Sequence, residues 1–283
     1  MDLRTVKKLV RRVWMERARY PIVSLPLPTR YEGGWFLAYG DEMGYTIFFG
    51  RPFELYERRF FERLVKSGAV NVFADIGANQ GLYSLIAARH LRRGHVIAFE
   101  PLASEARKLL RNASLNRYTN VTVNEVALGA FEGEADMFMC VGGMAGFSSL
   151  RPPADDVTAR STMVRVPVST LDQHVASNDL SSLEFVKIDV EGGELDVLKG
   201  ADRAIGRYRP IFMIEVEDRR TRQWGYPASD ILRFLLDREY GWFDIDRNGL
   251  LTQHRIADEY RWRNLIAVPI EADTDFLLKH TIN

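Results

Sequence analysis

The chain has 283 residues, of which 46% are hydrophobic and 27% charged, and these values are typical of a soluble α/β domain with a buried core. Its formal net charge is zero, which excludes the overall basic field that is typical of nucleic-acid-binding domains. The single cysteine, Cys140, excludes an internal disulfide and a Cys/His zinc site. No apolar run is long enough to span a bilayer. We therefore expect a cytoplasmic location.

Residues 1–20 contain seven Lys/Arg residues and two acidic residues, and their apolar residues recur at helical spacing. This pattern predicts a basic amphipathic helix. Such a helix either makes a peripheral contact with an anionic membrane surface or a charged partner, or it caps the domain with a solvated basic face. No apolar segment of the kind found in secretory signals follows it.

Residues 35–50 form two apolar and aromatic runs on either side of residues 40–44, and this arrangement predicts a β-hairpin. Residues 52–67 predict a helix that has its apolar residues on one face and a proline in its first turn. We therefore expect residues 1–50 to form a helix-and-hairpin cover, and residues 51–283 to form the main domain.

From about residue 70 onward, apolar strands alternate with helices. Strands are predicted at 71–76, 95–100, 120–128, 184–190, 210–217, 242–246 and 264–269, and helices at about 80–91, 103–115, 192–204 and 228–238. Two extra strands, 135–140 and 163–171, interrupt the alternation. The pattern predicts an α/β fold with a mostly parallel, doubly wound sheet and helices on both faces.

The loop after the first of these strands has the composition of a nucleotide-binding turn. It runs from Asp75 through Gly77 and Asn79 to Gly81, where the next helix begins. Glycines allow a sharp turn and a close approach of the backbone to a ligand, and the helix N-terminus offers free N–H groups. The next strand ends in Glu100, an acid placed to accept hydrogen bonds from both ribose hydroxyls. This combination predicts a nucleotide site.

The spacing and charge of the loop distinguish between two nucleotides. A dinucleotide requires a G-x-G-x-x-G turn around its pyrophosphate, whereas Gly77-x-Asn79-x-Gly81 is one residue shorter. The carboxylate of Asp75 would repel a pyrophosphate but suits the cationic amino-acid end of S-adenosylmethionine. We therefore favour S-adenosylmethionine, with an NAD-dependent oxidoreductase as the alternative.

Several segments together resemble the FkbM family of S-adenosylmethionine-dependent methyltransferases. They are VFADIGANQGLYS, AFEP, NEVALG, VSTLD, VKIDVEGGELDVLKGA and NLIAVP, and the resemblance covers roughly residues 50–270. It implies the class I methyltransferase (Rossmann-like) fold, in which the last of seven strands runs antiparallel. It also implies O-methylation of a hydroxyl on a sugar, glycan or secondary metabolite. We expect no nucleic-acid partner, because the charge is balanced and no Asn/Asp-Pro-Pro-Tyr/Trp-type motif occurs. A cofactor-binding protein without catalysis is a further alternative, and the oligomeric state stays open.

The resemblance also assigns residues to parts of the cofactor. Residues of the loop after the first strand would line its methionine end, Glu100 would hold the ribose, and residues 125–127 would flank the adenine. The complete expected set is Asp75, Gly77, Ala78, Asn79, Gly81, Tyr83, Ser84, Glu100, Pro101, Glu125, Val126, Ala127 and Asp189.

Charged residues at the ends of two apolar strands form the candidate catalytic set. Alternation places Lys187, Asp189 and Glu191 on one face of the fourth core strand, and Glu215 and Glu217 on one face of the fifth. Charges in buried strands require a partner or a function.

Two roles remain open for this set. One carboxylate could be a general base with a raised pKa, or Asp189 could bind a divalent cation together with Glu215 or Glu217. Lys187 could instead form a purely structural ion pair. The family often has a histidine where Glu217 stands, which leaves the base unassigned, and we expect catalysis without a metal. Trp224 and Tyr226 could stack on a sugar ring.

Overall fold

The computed structural model describes residues 26–140, 144–152 and 161–272, so the predicted basic helix at 1–20 lies outside the described residues. Its strands are β1 (Leu27–Tyr31), β2 (Gly34–Ala38), β3 (Val72–Ile76), β4 (His95–Phe99), β5 (Val121–Asn124), β6 (Ala127–Leu128), β7 (Gly133–Cys140), β8 (Ser161–Ser169), β9 (Phe185–Ile188), β10 (Ile211–Val216), β11 (Tyr240–Ile245), β12 (Leu251–Gln253) and β13 (Arg263–Pro269).

The α-helices span Glu42–Phe48, Leu55–Lys66, Leu82–His90, Ala103–Leu115, Leu171–Ser177, Glu194–Lys199, Asp202–Tyr208, Asp218–Thr221 and Ser229–Leu236. Two short 3₁₀ turns lie at Ala145–Phe147 and Arg222–Trp224. The helix predicted at 192–204 is therefore two helices, which are separated at Gly200. No helix among the described residues has both the length and the apolar character needed to cross a membrane.

The central sheet has the strand order β12-β11-β13-β10-β9-β3-β4-β5. Strands β3, β4, β5, β9 and β10 pair in parallel, and β13 lies antiparallel between β10 and β11. The predicted fold class, with helices on both faces and an antiparallel last strand, is confirmed. The short edge strand β12 adds an eighth strand to the seven that were expected.

The two faces of this sheet bury separate apolar cores. Alternation in β3 sends Phe73 into one core and Ala74 into the other, and in β9 it does the same with Phe185 and Val186. The first core is covered by the helices 55–66 and 82–90. The second is covered by the helices 171–177, 194–199, 202–208 and 229–236. Helices on both faces leave the carboxyl ends of β3, β4, β9 and β10 open at one edge.

The predicted third strand at 120–128 is wrong as a single element. Residues 121–124 form β5 in the central sheet, while residues 127 and 128 form β6 in a separate sheet with the order β6-β8-β7. The chain leaves the central sheet at Glu125 and Val126. This break allows the second sheet, which contains the two predicted extra strands, to form a wall beside the end of β4.

The hairpin predicted at 35–50 is also wrong in its position. The hairpin consists of β1 and β2, which are joined at Glu32 and Gly33, and both of these residues have positive φ, as in the turn that suits two-residue hairpins. Residues 42–48 form a helix instead, because the Asp41 carboxylate accepts a hydrogen bond from the backbone N–H of Gly44 at 2.7 Å and caps its N-terminus. The division of the chain near residue 50 stays a prediction.

Candidate functional site

The loop after β3 is pressed against the end of β9. Gly77 has a φ of 81°, and a Cβ atom on it would lie 1.8 Å from the carbonyl oxygen of Asp189. Any side chain at this position would collide with backbone. The loop ends at Gly81, also at positive φ, where the helix Leu82–His90 begins. Gly77 therefore allows the loop and the end of β9 to lie side by side.

Glu100, at the end of β4, ties this loop to the neighbouring one. One of its carboxylate oxygens accepts the backbone N–H of Asn79 at 2.9 Å, and the other accepts the backbone N–H of Leu102 at 2.9 Å. The side chain is buried, and burial raises the pKa of Glu100 to about 7. Both oxygens keep a free lone pair, so the carboxylate is oriented to accept two further hydrogen bonds.

A first pocket opens between the ends of β3 and β4 and the second sheet. Its wall is largely apolar, and it is bordered by Glu100, Asp189 and Glu191. The apolar lining is formed by Phe99, Pro101, Leu102, Val126, Ala127, Leu128, Phe131, Met137 and Leu150. A concave apolar pocket with a few fixed polar groups suits a nucleoside.

A second pocket of about 1320 Å³ lies between the same loop, the cover helix Glu42–Phe48 and the ends of β9 and β10. The two pockets share a border that is formed by Gly77, Asn79, Ala145, Gly146, Asp189 and Glu191. Asn79 has a φ of 48°, and its side-chain oxygen is buried without a hydrogen-bond partner among the described residues. A strained residue with an unsatisfied acceptor at this border indicates a ligand position.

Lys187 is a buried cation at the floor of the second pocket. Its Nζ lies 2.6 Å from the carboxylate of Asp189. Burial alone would lower the pKa of Lys187, but the carboxylates of Asp189, Glu54 and Asp75 outweigh it and raise the pKa above its usual value. Conversely, Lys187 holds the pKa of Asp189 below its usual value in spite of burial. The structural ion pair considered for Lys187 is therefore present.

Asp75 lies buried beside this pair and also borders the second pocket. Its carboxylate accepts a hydrogen bond from the hydroxyl of Ser84 at 2.6 Å. Burial raises the pKa of Asp75, and Lys187 and the Ser84 hydroxyl only partly offset this effect. Ser84 thus orients Asp75, and it borders neither pocket.

Three carboxylates converge where the two pockets meet: one oxygen each of Asp189, Glu191 and Glu215 lies within 4.8 Å of the others. The guanidinium of Arg220 pairs with Glu191 and lies 3.1 Å from the Glu215 carboxylate. Burial, followed by the charges of Asp189 and Glu194, raises the pKa of Glu215 well above its usual value. Because Arg220 supplies the positive charge here, the cluster does not suit a divalent cation as it stands.

The remaining expected residues divide into two groups. Ala78 and Tyr83 border the second pocket, and Pro101, Val126 and Ala127 border the first. Three others border neither pocket: Gly81 begins its helix, Glu125 is exposed, and Glu217 forms an ion pair with Arg220 at 2.6 Å. The structure therefore brings Glu215 to Asp189 but leaves Glu217 outside the pockets, because β10 ends at Val216.

The two aromatic residues considered for sugar stacking have other contacts. The Trp224 ring lies against the backbone of Gly192 and Gly193, where a Cβ on either glycine would be 2.8 Å from it, and it borders the first pocket. The Tyr226 hydroxyl donates to the carbonyl of Gly192. Trp262 is instead the tryptophan at the second pocket, where it is 45% exposed and donates its indole N–H to Glu215.

Glu54 is a site residue that the sequence did not reveal. It borders the second pocket, has a φ of 45°, and accepts hydrogen bonds from the Tyr83 hydroxyl at 2.7 Å and the Asn264 amide at 3.4 Å. Desolvation raises the pKa of Glu54 to about 7, although Lys187 opposes the rise. It lies at the start of a helix far along the chain from β9, so no local motif connects it with Lys187.

Comparison with known proteins identifies relatives of this chain. The chain is 32% identical over 199 residues to the AMB antimetabolite synthetase AmbE of Pseudomonas aeruginosa. The matched region covers 57% of this chain and 9% of that protein. It is 26% identical over 143 residues to Methyltransferase 1 of Beauveria bassiana, and this matched region covers 45% of this chain and 57% of that protein. The chain thus spans about a tenth and just over half of the length of these two curated relatives.

A solved structure of a methyltransferase FkbM from Methylobacillus flagellatus is 19% identical, with a TM-score of 0.45, and covers 75% of this chain and 48% of that chain. The family model described as the methyltransferase FkbM domain matches residues 75–241, from the end of β3 to the start of β11. This match covers more than half of the chain and includes most of the residues that border the first pocket. The protein therefore belongs to the FkbM family of S-adenosylmethionine-dependent methyltransferases.

Proposed function

We propose that this protein transfers a methyl group from S-adenosylmethionine to a hydroxyl oxygen of a small molecule or glycan. The observation that carries the proposal is the meeting of a largely apolar pocket beside Glu100 with a second, polar pocket at Asn79 and Asp189. Methyl transfer requires donor and acceptor in line and in contact, and two pockets with a common border provide that arrangement.

The residues present fit the donor. The oriented carboxylate of Glu100 would accept the ribose hydroxyls, and the apolar wall of the first pocket would hold the adenine. The unpartnered oxygen of Asn79 and the carboxylate of Asp75 would face the cationic methionine end. When bound, the donor supplies the methyl carbon, which the acceptor oxygen attacks as the carbon–sulfur bond breaks and S-adenosylhomocysteine leaves.

Glu54 is the base in this proposal, and it takes the proton that the hydroxyl loses. Asp189 is held by Lys187 with a lowered pKa, which makes it a weak base. The Glu215 carboxylate is engaged by the Arg220 guanidinium at 3.1 Å and by the indole N–H of Trp262. Glu54 borders the same pocket, and no Lys or Arg among the described residues lies within ion-pair distance of it. Its pKa of about 7 suits a general base.

The test is calorimetric titration with S-adenosylhomocysteine, followed by transfer of labelled methyl groups to hydroxyl compounds. We expect a dissociation constant on the order of 1 µM for the wild type. Glu100→Ala should weaken it about 10- to 100-fold, because it removes hydrogen bonds to a charged group. Asp136→Asn, a change on the exposed face of β7, is the matched control and should have no effect. Binding of NAD in place of S-adenosylhomocysteine would refute the proposal, and binding without turnover would leave a cofactor-binding protein.

A further inference from the structure

The second pocket offers no free cation to an incoming acceptor. Among the described residues that border it, only Lys187 and Arg220 are cationic, and both are engaged by carboxylates of the same wall. Seven acidic residues border the pocket: Asp41, Glu42, Glu54, Asp75, Asp189, Glu191 and Glu215. An anionic acceptor would therefore be repelled without finding a partner.

The cover side of this pocket contains a buried hydrogen-bond acceptor that lacks a donor. Gln80 is 4% exposed, and its Nε2 donates to the Asp41 carboxylate at 2.7 Å. Its Oε1 has no partner among the described residues. Because the amide nitrogen is bound to a carboxylate, the amide cannot be turned over without losing that bond. The free oxygen is therefore fixed in place, and a buried oxygen of this kind is normally satisfied by a ligand or water.

Asp41 positions Gln80 but is itself neutralised. The carboxylate oxygen that accepts from Gln80 also accepts from the ammonium of Lys108 at 2.9 Å, and Lys108 does not border the pocket. Glu42, the next residue, differs from Asp41 in this respect. It is exposed, borders the pocket, and forms no ion pair among the described residues. The cover side of the pocket thus presents the neutral acceptor Gln80 Oε1 and, within the described part of the chain, the unpaired negative charge of Glu42.

We infer that the acceptor carries a protonated amine in addition to the hydroxyl, and that the ammonium is bound by Gln80 Oε1 and the Glu42 carboxylate. An ammonium has three donors and no acceptor, so Gln80 Oε1 and the Glu42 carboxylate can each accept a hydrogen bond from it. The apolar body of the acceptor lies against Phe36, Met43, Ile47 and Phe53, which line the same side of the pocket. This inference rests on the proposed function, because it places the acceptor in the second pocket.

The test uses glycerol and two probes that each differ from it in one group: 2-amino-1,3-propanediol, which has an amine in place of a hydroxyl, and glycerate, which has a carboxylate in place of a hydroxymethyl group. Their binding to the full chain, saturated with S-adenosylhomocysteine near neutral pH, is measured by ligand-observed NMR titration. We expect the aminodiol to bind about tenfold more tightly than glycerol, and glycerate to bind more weakly than glycerol. Glu42→Gln and Gln80→Met should bring the aminodiol and glycerol to similar affinities, whereas Asp258→Asn, an exposed acid away from both pockets, should leave the preference intact.

Several results would overturn the inference. These are equal binding of the three probes, a preference for glycerate, no binding of the aminodiol, or a preference that survives Glu42→Gln. A loss of affinity for S-adenosylhomocysteine in Gln80→Met would also overturn it, because the free oxygen would then serve the donor. Failure of the wild type to bind S-adenosylhomocysteine would instead refute the proposed function, and the inference with it.

Discussion

Replacement of Arg220 by alanine should convert the carboxylate cluster into a divalent-cation site. In the wild type, the guanidinium pairs with Glu191, Glu215 and Glu217, and its charge lies where a cation would bind. Without the guanidinium, one oxygen each of Asp189, Glu191 and Glu215 would remain within 4.8 Å of the others. Among the described residues, the only cation left beside them would be Lys187, which pairs with Asp189. Oxygen ligands so arranged suit Mn²⁺ or Mg²⁺.

The magnitude follows from the geometry. Two ionised carboxylates 4.8 Å apart repel each other by about 3 kcal/mol at an effective dielectric constant of about 20. Loss of one partner from a largely buried ion-pair network costs about 3–5 kcal/mol of stability. If the new site binds Mn²⁺ with a dissociation constant on the order of 10⁻⁴ M, about 10 mM Mn²⁺ returns about 2.7 kcal/mol. For a chain of this size that corresponds to a rise in Tm of about 5–10 °C.

The assay is thermal unfolding of the wild type, Arg220→Ala and the double variant Arg220→Ala/Glu191→Gln, each with and without Mn²⁺. We expect stabilisation by Mn²⁺ only in the single variant, since the double variant lacks one of the three anionic ligands. An equal rise in Tm for the wild type would show that the guanidinium does not occupy the cation position. No rise in Arg220→Ala, in a variant that folds, would show that the three carboxylates do not act together.

Three further changes test other parts of the site. Glu54→Gln should lower the rate of methyl transfer about 100-fold or more and abolish the rise of this rate as pH passes through about 7. The control Glu57→Gln should show neither effect. An unchanged pH profile in Glu54→Gln would exclude Glu54 as the base. Gly77→Ala should abolish binding of S-adenosylhomocysteine, because the added Cβ meets the Asp189 carbonyl. Gly206→Ala, where an added Cβ meets no atom, should bind normally. Equal binding by both variants would contradict the close contact between Gly77 and the Asp189 backbone. Burial raises the pKa of Glu194 from 4.5 to about 7, so in this pH range the folded protein retains a proton that the unfolded protein releases. The wild type therefore loses up to about 3 kcal/mol of stability as pH rises through this range. Glu194→Gln should therefore gain stability relative to the wild type between pH 5 and pH 8 in chemical unfolding, and a constant difference would refute this sign.

Local patterns were sufficient for the central sheet and for half of the site. Strands β3, β4, β9 and β10 are short apolar runs between turn signals, and a parallel sheet buries such runs whatever the rest of the chain does. The glycine loop and the acid at the end of β4 follow from the same logic, since both are set by residues adjacent in sequence to those strands. The aromatic run at 43–49 was wrongly predicted as a strand of a hairpin, because such a run is compatible with a strand. The Asp41 side chain caps a helix here instead.

The tertiary structure alone decided which charges meet. Glu54 precedes Lys187 by more than a hundred residues, and Trp262 follows Glu215 by 47, yet β9, β10 and β13 lie side by side and bring these groups to one pocket. Arg220 places a cation beside a cluster that resembles a metal site, through contacts that strand alternation does not predict. Electrostatic roles depend on distances of a few ångströms and on burial. The sequence by itself determined the family and the strands that hold the cofactor loop, whereas the protonation and partners of each carboxylate required the packed fold.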